Sequence, residues 1–340
     1  MTSRPHDALF KSAFEAPADA ARLLRELLPS AVRDAIAWST LRREHGSFID
    51  RELADRHSDL LFHVRLRSGR SRNAFLLLEH QSTADSSMPL RSLAYQLQIW
   101  NRCRKERRRS RDYLPPVLAV LVSHVPGGWM GPRAFEEMFD PAVLALPGID
   151  RLIPRCSMPV MDLARLSNTD LLAMPLPAFQ KLALWLLRDA RAPERLLANF
   201  DTWSSLLRAA GRARAGLDAL ETLIVYMFRV VHPRYQDELR AKLLALGPST
   251  QEATMTIADV LRKEGFASGR VEALRRQLVF KFRTLDAASE ARLKDATPRE
   301  IDHYLRRVLT ADSLAEVFEG NPRRRSGAPR SRGPRAHAAR

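Results

Sequence analysis

The sequence SDLLFHVRLRSGRSRNAFLLLEHQ, residues 58–81, is the strongest indication of the fold in the first part of the chain. It contains two apolar runs of strand length, Leu60–Leu66 and Phe75–Leu78, on either side of a polar separator that includes Gly69. Two such runs joined by a short polar segment with a glycine predict a β-hairpin.

Three polar residues at the open end of this hairpin are predicted to share one face. With a loop of about five residues centred on Arg70, Asp59 lies opposite Gln81 and diagonal to Glu79. Directly opposed Cβ atoms are then about 5 Å apart and diagonal ones about 7–8 Å. The spacing therefore allows the two carboxylates to hold one divalent cation, although solvated acids at a strand end fit the same pattern.

A metal held by Asp59 and Glu79 would suit phosphodiester hydrolysis. Mg²⁺ prefers oxygen ligands and needs only one or two carboxylates from the protein. Hydroxide in water is repelled by the anionic phosphate. The metal ion screens the phosphate charge and generates the nucleophile next to it. Gln81 can orient the attacking water or ligate the metal through its carbonyl oxygen, but an amide does not titrate and cannot be a general base.

The elements around the hairpin predict an α/β fold. Residues 5–28 have a helical pattern in which Pro17 starts a second helix, and residues 88–106 form an amphipathic helix. Val117–Val122 has the composition of a buried strand, and after about Trp129 the pattern is mainly helical. The predicted apolar stripe of helix 88–106 consists of Leu90, Leu93, Ala94, Leu97 and Trp100.

The charge of the chain favours a polyanionic partner. Lys and Arg number 55 against 39 Asp and Glu, a formal balance of +16, and such an excess attracts nucleic acid before membrane or acidic protein. No apolar stretch has the ~20 residues of a membrane span, and Met1–Asp7 lacks the apolar core of a signal peptide. We therefore expect a cytoplasmic protein. Its two cysteines are too few for a disulfide framework or a cysteine-rich zinc site.

Helix 88–106 offers a polar face for DNA. Arg91, Tyr95, Gln98 and Arg102 are spaced 4, 3 and 4 residues apart, on the face predicted to point away from the apolar stripe. The helix ends in a basic cluster, which a favourable interaction with the helix dipole explains in part. The DNA-binding residues predicted here are Arg91, Tyr95, Arg102, Lys105, Arg108 and Arg109.

The sequence resembles the recombination-promoting nuclease family, also labelled as transposases, within the PD-(D/E)xK superfamily. The matching stretches are His6–Lys11, Ser58–Phe62, Leu76–Ser82, Met88–Arg91 with Tyr95, Val117–Ser123 with Trp129, and, for an attached helical domain, Leu274–Phe282 and Leu309–Phe318. The resemblance implies a PD-(D/E)xK restriction-endonuclease-like core followed by an all-α C-terminal half. The predicted domains are a nuclease domain (1–140), a helical extension (141–250), a small C-terminal helical domain (251–320) and a disordered arginine-rich tail (321–340).

The resemblance also implies a function: a magnesium-dependent, largely sequence-non-specific DNA endonuclease that promotes recombination. Asp59 and Glu79 are then the metal ligands, and Gln81 stands where the superfamily has a lysine. Lys11 is a candidate to supply the missing cation, and Asp7 is a candidate assistant, although a helix N-cap explains Asp7 equally well. Three alternatives stay open: a catalytically inactive DNA-binding protein that keeps the nuclease fold, a protein-interaction module, and a homodimer rather than a monomer.

Overall fold

The computed structural model describes residues 5–44, 60–69, 72–106, 113–213 and 216–319. Asp59, Arg108, Arg109 and the predicted tail 321–340 lie outside this part of the chain. The chain divides into two compact units, whose described residues run from 5 to 257 and from 258 to 319. The domain boundary predicted at residue 140 falls within the first unit, and the four-part division stays a prediction.

The first unit is an α/β structure, as the pattern of elements predicted, and it is built on a mixed five-stranded sheet. The strand order follows the chain, with β1 and β2 antiparallel, β2 and β3 antiparallel, and β3, β4 and β5 parallel. The strands are β1 (Ile36–Arg43), β2 (Leu60–Leu66), β3 (Asn73–Gln81), β4 (Val117–Ser123) and β5 (Val160–Asp162).

The hairpin forms, but its predicted register was wrong by two residues. The prediction paired Leu61 with Glu79, whereas the structure pairs Leu61 with Leu77. The turn is centred on Gly69 rather than Arg70, because Gly69 adopts a positive φ of 105°, and Leu66 N donates to the Arg72 carbonyl at 2.6 Å. Since the error is an even number of residues, every side chain stays on its predicted face.

Three helices of the described chain precede the sheet, and each begins at a proline or directly after one. They are α1 (Pro5–Phe14), α2 (Pro17–Leu27) and α3 (Ser30–Ala35). A second helix starting at Pro17 was predicted, because proline lacks the N–H that the first helical turn leaves unpaired anyway. Phe10 of α1 stacks on His80 of β3 at 4.4 Å between ring centroids, so α1 covers one face of the sheet at its carboxyl end.

The helix between β3 and β4, α4 (Met88–Glu106), covers the other face. Its predicted bounds are confirmed, but its predicted apolar stripe was wrong: Leu90 and Leu97 are each 50% exposed. The buried side chains are instead Met88, Tyr95 and Ile99, which pack on Leu61, Leu77 and Leu121 of the sheet. Two sets of apolar residues in this segment have helical spacing: one contains Leu90 and Leu97, and the other contains Tyr95 and Ile99. The second set is buried, and this orientation of the helix also turns Arg91 towards the sheet.

Mainly helical chain completes the first unit. Its helices are α5 (Pro141–Leu144), α6 (Asn168–Ala173), α7 (Ala178–Asp189), α8 (Pro193–Ala198), α9 (Phe200–Gly211), α10 (Gly216–Val230) and α11 (Gln236–Leu244). Short 3-10 helices lie at Phe135–Met138, Ile149–Arg151, Leu163–Arg165 and Pro233–Tyr235. Helices α7 and α10 pack against α1, so the helical half buttresses the helix that covers the sheet.

The second unit has a core of its own. It contains the end of α12 (Pro248–Phe282), then α13 (Ala287–Asp295), α14 (Pro298–Arg307) and α15 (Leu314–Phe318). Leu274, Leu293, Ile301 and Val317 meet in this core. In the part of the chain that the structure describes, no helix is both long enough and apolar enough to span a bilayer.

Candidate active site

Polar side chains collect where the three parallel strands end. The carboxyl ends of parallel strands meet at one edge of a sheet, and here Gln81 pairs with Ser123, which in turn pairs with Asp162. Residues paired across parallel strands point to the same face, and Glu79 shares that face with Gln81 because the two are separated by two positions. All four side chains are buried, Glu79 completely.

Glu79 contacts a cation from helix α4. Arg91 Nη2 lies 3.3 Å from Glu79 Oε2, and Arg91 Nη1 lies 2.6 Å from Asp85 Oδ2. A buried carboxylate is costly unless a charge or hydrogen bonds compensate it. The loop before α4 and the first turn of α4 thus supply a charged partner for the acid at the end of β3.

Asp85 is itself held by its neighbours. Its Oδ1 accepts hydrogen bonds from the Ser87 backbone N–H at 2.8 Å and the Ser87 hydroxyl at 2.6 Å. Its Oδ2 takes the short contact with Arg91. The sequence analysis did not single out Asp85, although an acid two residues before a serine at the start of a helix is a recognisable local turn signal.

Asp162, which the sequence analysis also missed, organises the loop after β4. One carboxylate oxygen accepts the Trp129 backbone N–H at 2.7 Å, and the other accepts that of Ala164 at 3.2 Å. Gly128 has a φ of 96°, and a Cβ there would lie 2.8 Å from Asp162 Oδ2, so only glycine fits. These bonds give Asp162 a structural role at the edge of the site.

The opposite face of β3 carries a histidine cluster, which consists of His6, His80 and His124. The His80 and His124 rings stack at 4.9 Å, and His6 meets His124 edge-on at 4.8 Å. His80 Nδ1 lies 3.4 Å from Asp7 Oδ1, and the Tyr226 hydroxyl lies 2.9 Å from His6 Nδ1. Residues far apart in sequence make this cluster, so no local pattern predicts it.

Burial lowers the pKa of two of these histidines, His6 and His124, so that both are neutral. Desolvation lowers the pKa of His124 well below its ordinary value of 6.5, and the neighbouring His80 acts in the same direction. Desolvation, together with the nearby Arg191 guanidinium, lowers the pKa of His6 from 6.5 to about 4. The Leu187 backbone lies near the His124 ring, but within the described chain neither ring nitrogen has a partner in hydrogen-bond geometry.

The structure brings some of the predicted site residues together and separates others. Glu79 and Gln81 lie together on the α4 face, while Asp7 contacts His80 from the opposite face. Lys11 lies on α1 as well, one turn beyond Asp7. The catalytic assistance predicted for these two residues therefore stays a prediction, and their helix covers the face away from Glu79.

The predicted DNA-binding face of α4 is only partly exposed. Tyr95 is completely buried, so its placement on an outer face was wrong, and the Arg91 side chain is only 12% exposed. The helix is rotated because Met88, Tyr95 and Ile99 fill the space over the sheet. Arg102 is half-buried and Lys105 is exposed near the end of the helix.

The donor set at this edge fits a hard cation. Glu79 offers carboxylate oxygens and Gln81 an amide oxygen, which are ligand types that Mg²⁺ accepts. Within the described residues there is no cluster of three or more His, Cys, Asp or Glu suited to a metal ion. Asp59, the second predicted ligand, lies outside them; the next residue in sequence, Leu60, pairs with Leu78, the residue before Glu79.

Comparisons with known proteins agree on one family. Three relatives from Escherichia coli match most of the chain. The protein named inactive recombination-promoting nuclease-like protein RpnE, from strain K12, is 26% identical over 306 residues, which cover 88% of this chain and 96% of the relative. Recombination-promoting nuclease RpnD of O157:H7 is 27% identical over 77% of this chain and 96% of its own length. Recombination-promoting nuclease RpnA of K12 is 25% identical over 78% and 86%.

No solved structure matches this chain. The family model described as "Putative transposase, YhgA-like" matches residues 4–216, which include the whole sheet and helices α1 to α9. The chain therefore belongs to the YhgA-like family, whose curated relatives include proteins named as recombination-promoting nucleases.

Proposed function

We propose that this chain is a metal-dependent DNA endonuclease that cleaves phosphodiester bonds with little sequence preference and promotes recombination. The observation that carries the proposal is the buried Glu79 at the carboxyl end of β3, next to the hairpin pair Leu60–Leu78. The order of elements, a helix, three antiparallel strands, a helix and a strand parallel to the third, is compatible with a PD-(D/E)xK core. The names of the relatives support nuclease chemistry in the family.

Asp59 and Glu79 are the proposed ligands of Mg²⁺. If β2 pairs with β3 for one more residue, Asp59 comes directly opposite Glu79, at a Cβ separation of about 5 Å. With that pairing the two carboxylates would be closer than in the diagonal placement expected from sequence. Bound there, Mg²⁺ would supply a nucleophilic hydroxide and screen the phosphate charge.

The other residues have roles that their chemistry permits. Gln81, on the same face as Glu79, is placed to orient a water or to ligate through its carbonyl oxygen, since its amide cannot take up a proton. Arg102, Lys105, Arg108 and Arg109, around the end of α4, are proposed to bind the phosphate backbone. Binding that depends on several such contacts falls steeply with rising salt concentration.

A non-catalytic DNA-binding protein is the second candidate. Gln81 occupies the position where the superfamily has a lysine, and the relative that covers 88% of this chain is named inactive. This candidate shares the salt-sensitive DNA binding but predicts no metal-dependent cleavage.

Cleavage of supercoiled plasmid separates the two candidates. Purified full-length protein should nick or linearise plasmid in Mg²⁺ and stop in EDTA, and Asp59→Ala or Glu79→Gln should lower the rate by at least about 10³-fold. Glu194→Gln, which removes an exposed acid paired with Arg234, is the matched control and should cleave like the wild type.

Either of two results would contradict the nuclease proposal. The first is cleavage that persists in purified Asp59→Ala protein. The second is wild-type protein that shifts DNA at low salt but never cleaves it, which favours the inactive DNA-binding protein. Sedimentation velocity on the same preparation tests whether the protein is a homodimer or a monomer.

A further inference from the structure

Arg91 occupies an unusual place for a residue expected to bind DNA from a helix surface. Its side chain is 12% exposed and its guanidinium bridges two carboxylates, those of Glu79 and Asp85. A lysine at position 81 would have brought a cation to the same carboxylate face, but the chain has Gln81 there. Arg91 is therefore a cation at the carboxyl edge that comes from the neighbouring helix instead of from β3.

The two contacts of Arg91 differ in strength. Charge-assisted N–H···O bonds are usually about 2.7–2.9 Å long. The contact with Asp85 is 2.6 Å and that with Glu79 is 3.3 Å, so Arg91 is held firmly by Asp85 and loosely by Glu79. A cation that binds Glu79 can therefore displace Arg91 from that carboxylate without releasing it from the site.

Arg91 also keeps a donor that nothing in the described chain uses. Its Nε is buried, and among the described residues it has no hydrogen-bond partner. A guanidinium presents its donors as a planar fork that matches the oxygens of a phosphate. The free donor and the loose contact with Glu79 both point to an anionic ligand that is absent from the protein alone.

We propose that Arg91, anchored by Asp85, is the active-site cation of this protein: it neutralises Glu79 while no metal is bound, yields Glu79 to the metal, and then binds the scissile phosphate. The proposal rests on the proposed nuclease function for its last step only. The competition between Arg91 and a metal for Glu79 can be measured without DNA and without cleavage.

Mn²⁺ binding to the full-length protein tests the competition directly, with free Mn²⁺ followed by electron paramagnetic resonance. Arg91→Gln should bind Mn²⁺ about fivefold more tightly than the wild type, because the Arg91 guanidinium repels a cation bound to Glu79 in a buried site. Asp85→Asn should bind it more weakly, because Arg91 then pairs with Glu79 alone. Adding Glu79→Gln to Arg91→Gln should remove the gain.

Single-turnover cleavage at saturating Mg²⁺ tests the phosphate contact. Arg91→Gln should cleave about 10²-fold more slowly in spite of its tighter metal binding, since it lacks the cation that stabilises the transition-state charge. Arg91→Lys should fall between the two because it keeps the charge but loses the planar fork. Arg22→Gln, which removes an arginine from an exposed pair with Asp19, is the matched control and should change neither measurement.

Opposite changes in metal binding and cleavage distinguish this role from a structural one. If Arg91→Gln binds Mn²⁺ no more tightly than the wild type, Arg91 does not compete for Glu79 and the proposal is overturned, whether or not the protein is a nuclease. If Arg91→Gln cleaves like the wild type, the phosphate contact is overturned. Should circular dichroism show that Arg91→Gln is unfolded, Arg91→Lys carries the same test, because a single ammonium held by Asp85 also frees Glu79.

If Arg91→Gln binds Mn²⁺ more tightly but the wild type never cleaves DNA, the competition stands and the nuclease function fails. If the wild type cleaves and Mn²⁺ binding is unchanged in Arg91→Gln, the nuclease function stands and the role of Arg91 fails. The two proposals can therefore fail separately.

Discussion

The two faces of strand β3 bury polar groups in opposite ways. On the α4 face, Glu79 is completely buried and contacts the charged Arg91. On the α1 face, the adjacent His80 stacks between Phe10 and His124, and burial lowers the pKa of His124 so that this ring is neutral. The α4 face pairs a buried acid with a guanidinium, and the α1 face buries its polar rings by stacking them.

The difference shows which face is suited to chemistry on an anion. A buried acid whose counter-charge is loosely bound can exchange that charge for a metal ion, whereas stacked aromatic rings fill space and stabilise the fold. Two neighbouring residues on one strand are thus proposed to have separate roles, with Glu79 for metal binding and His80 for stability.

Substituting each of these two neighbours in turn should give the largest effects. Glu79→Gln should lower cleavage by at least about 10³-fold, while the fold survives because Arg91 keeps its contact with Asp85. His80→Ala should instead lower the free energy of unfolding by about 2–4 kcal/mol, since it removes a buried stacked ring.

Chemical denaturation and plasmid cleavage of both variants check this prediction. Loss of cleavage in a fully folded His80→Ala protein would mean that the two faces do not act separately.

Acid should destabilise the protein through the histidines of the α1 face. The unfolded chain takes up protons at its histidines below a pKa of 6.5, and the folded protein, in which burial lowers the pKa of His124, does not. The unfolded state therefore binds more protons, and stability falls as the pH decreases below 6.5. From pH 7 to pH 5 this one histidine should reduce the free energy of unfolding by about 2 kcal/mol.

His6 adds a smaller effect of the same sign that ends near its folded pKa of about 4. His124→Phe keeps an aromatic ring against His80 and should remove about half or more of this dependence on pH. Urea denaturation at several pH values measures it, and an unchanged slope in His124→Phe would show that other groups titrate in this window.

The smallest effect should come from Lys11, on the helix that covers the histidine face. Lys11→Ala should change cleavage by less than about threefold, which is the scale of an ordinary surface substitution. Single-turnover kinetics at saturating Mg²⁺ measure the cleavage rates of Lys11→Ala and the wild type. A loss of 10²-fold or more would place α1 at the active site, as the sequence analysis allowed, and would end the separation of the two faces.

Local sequence patterns predicted the α/β class, the hairpin and the bounds of α4. They also placed Glu79 and Gln81 on the same face of one strand. The predicted hairpin register was wrong, because the position of the turn depends on which residue adopts the positive φ, and that residue is Gly69. The predicted buried side of α4 was also wrong, because Leu90 and Tyr95 both belong to stripes with helical spacing. Neither error moved Glu79 to another face.

Side chains alternate in any strand, so the sequence alone is enough to place Glu79 and Gln81 on one face of β3 and His80 on the other. What each of these residues contacts depends on tertiary packing. Arg91 reaches Glu79 because α4 packs with Tyr95 inward, and His6, His80 and His124 meet because α1 lies across the ends of two strands. Such contacts depend on the packing of whole elements, which no local pattern of residues encodes.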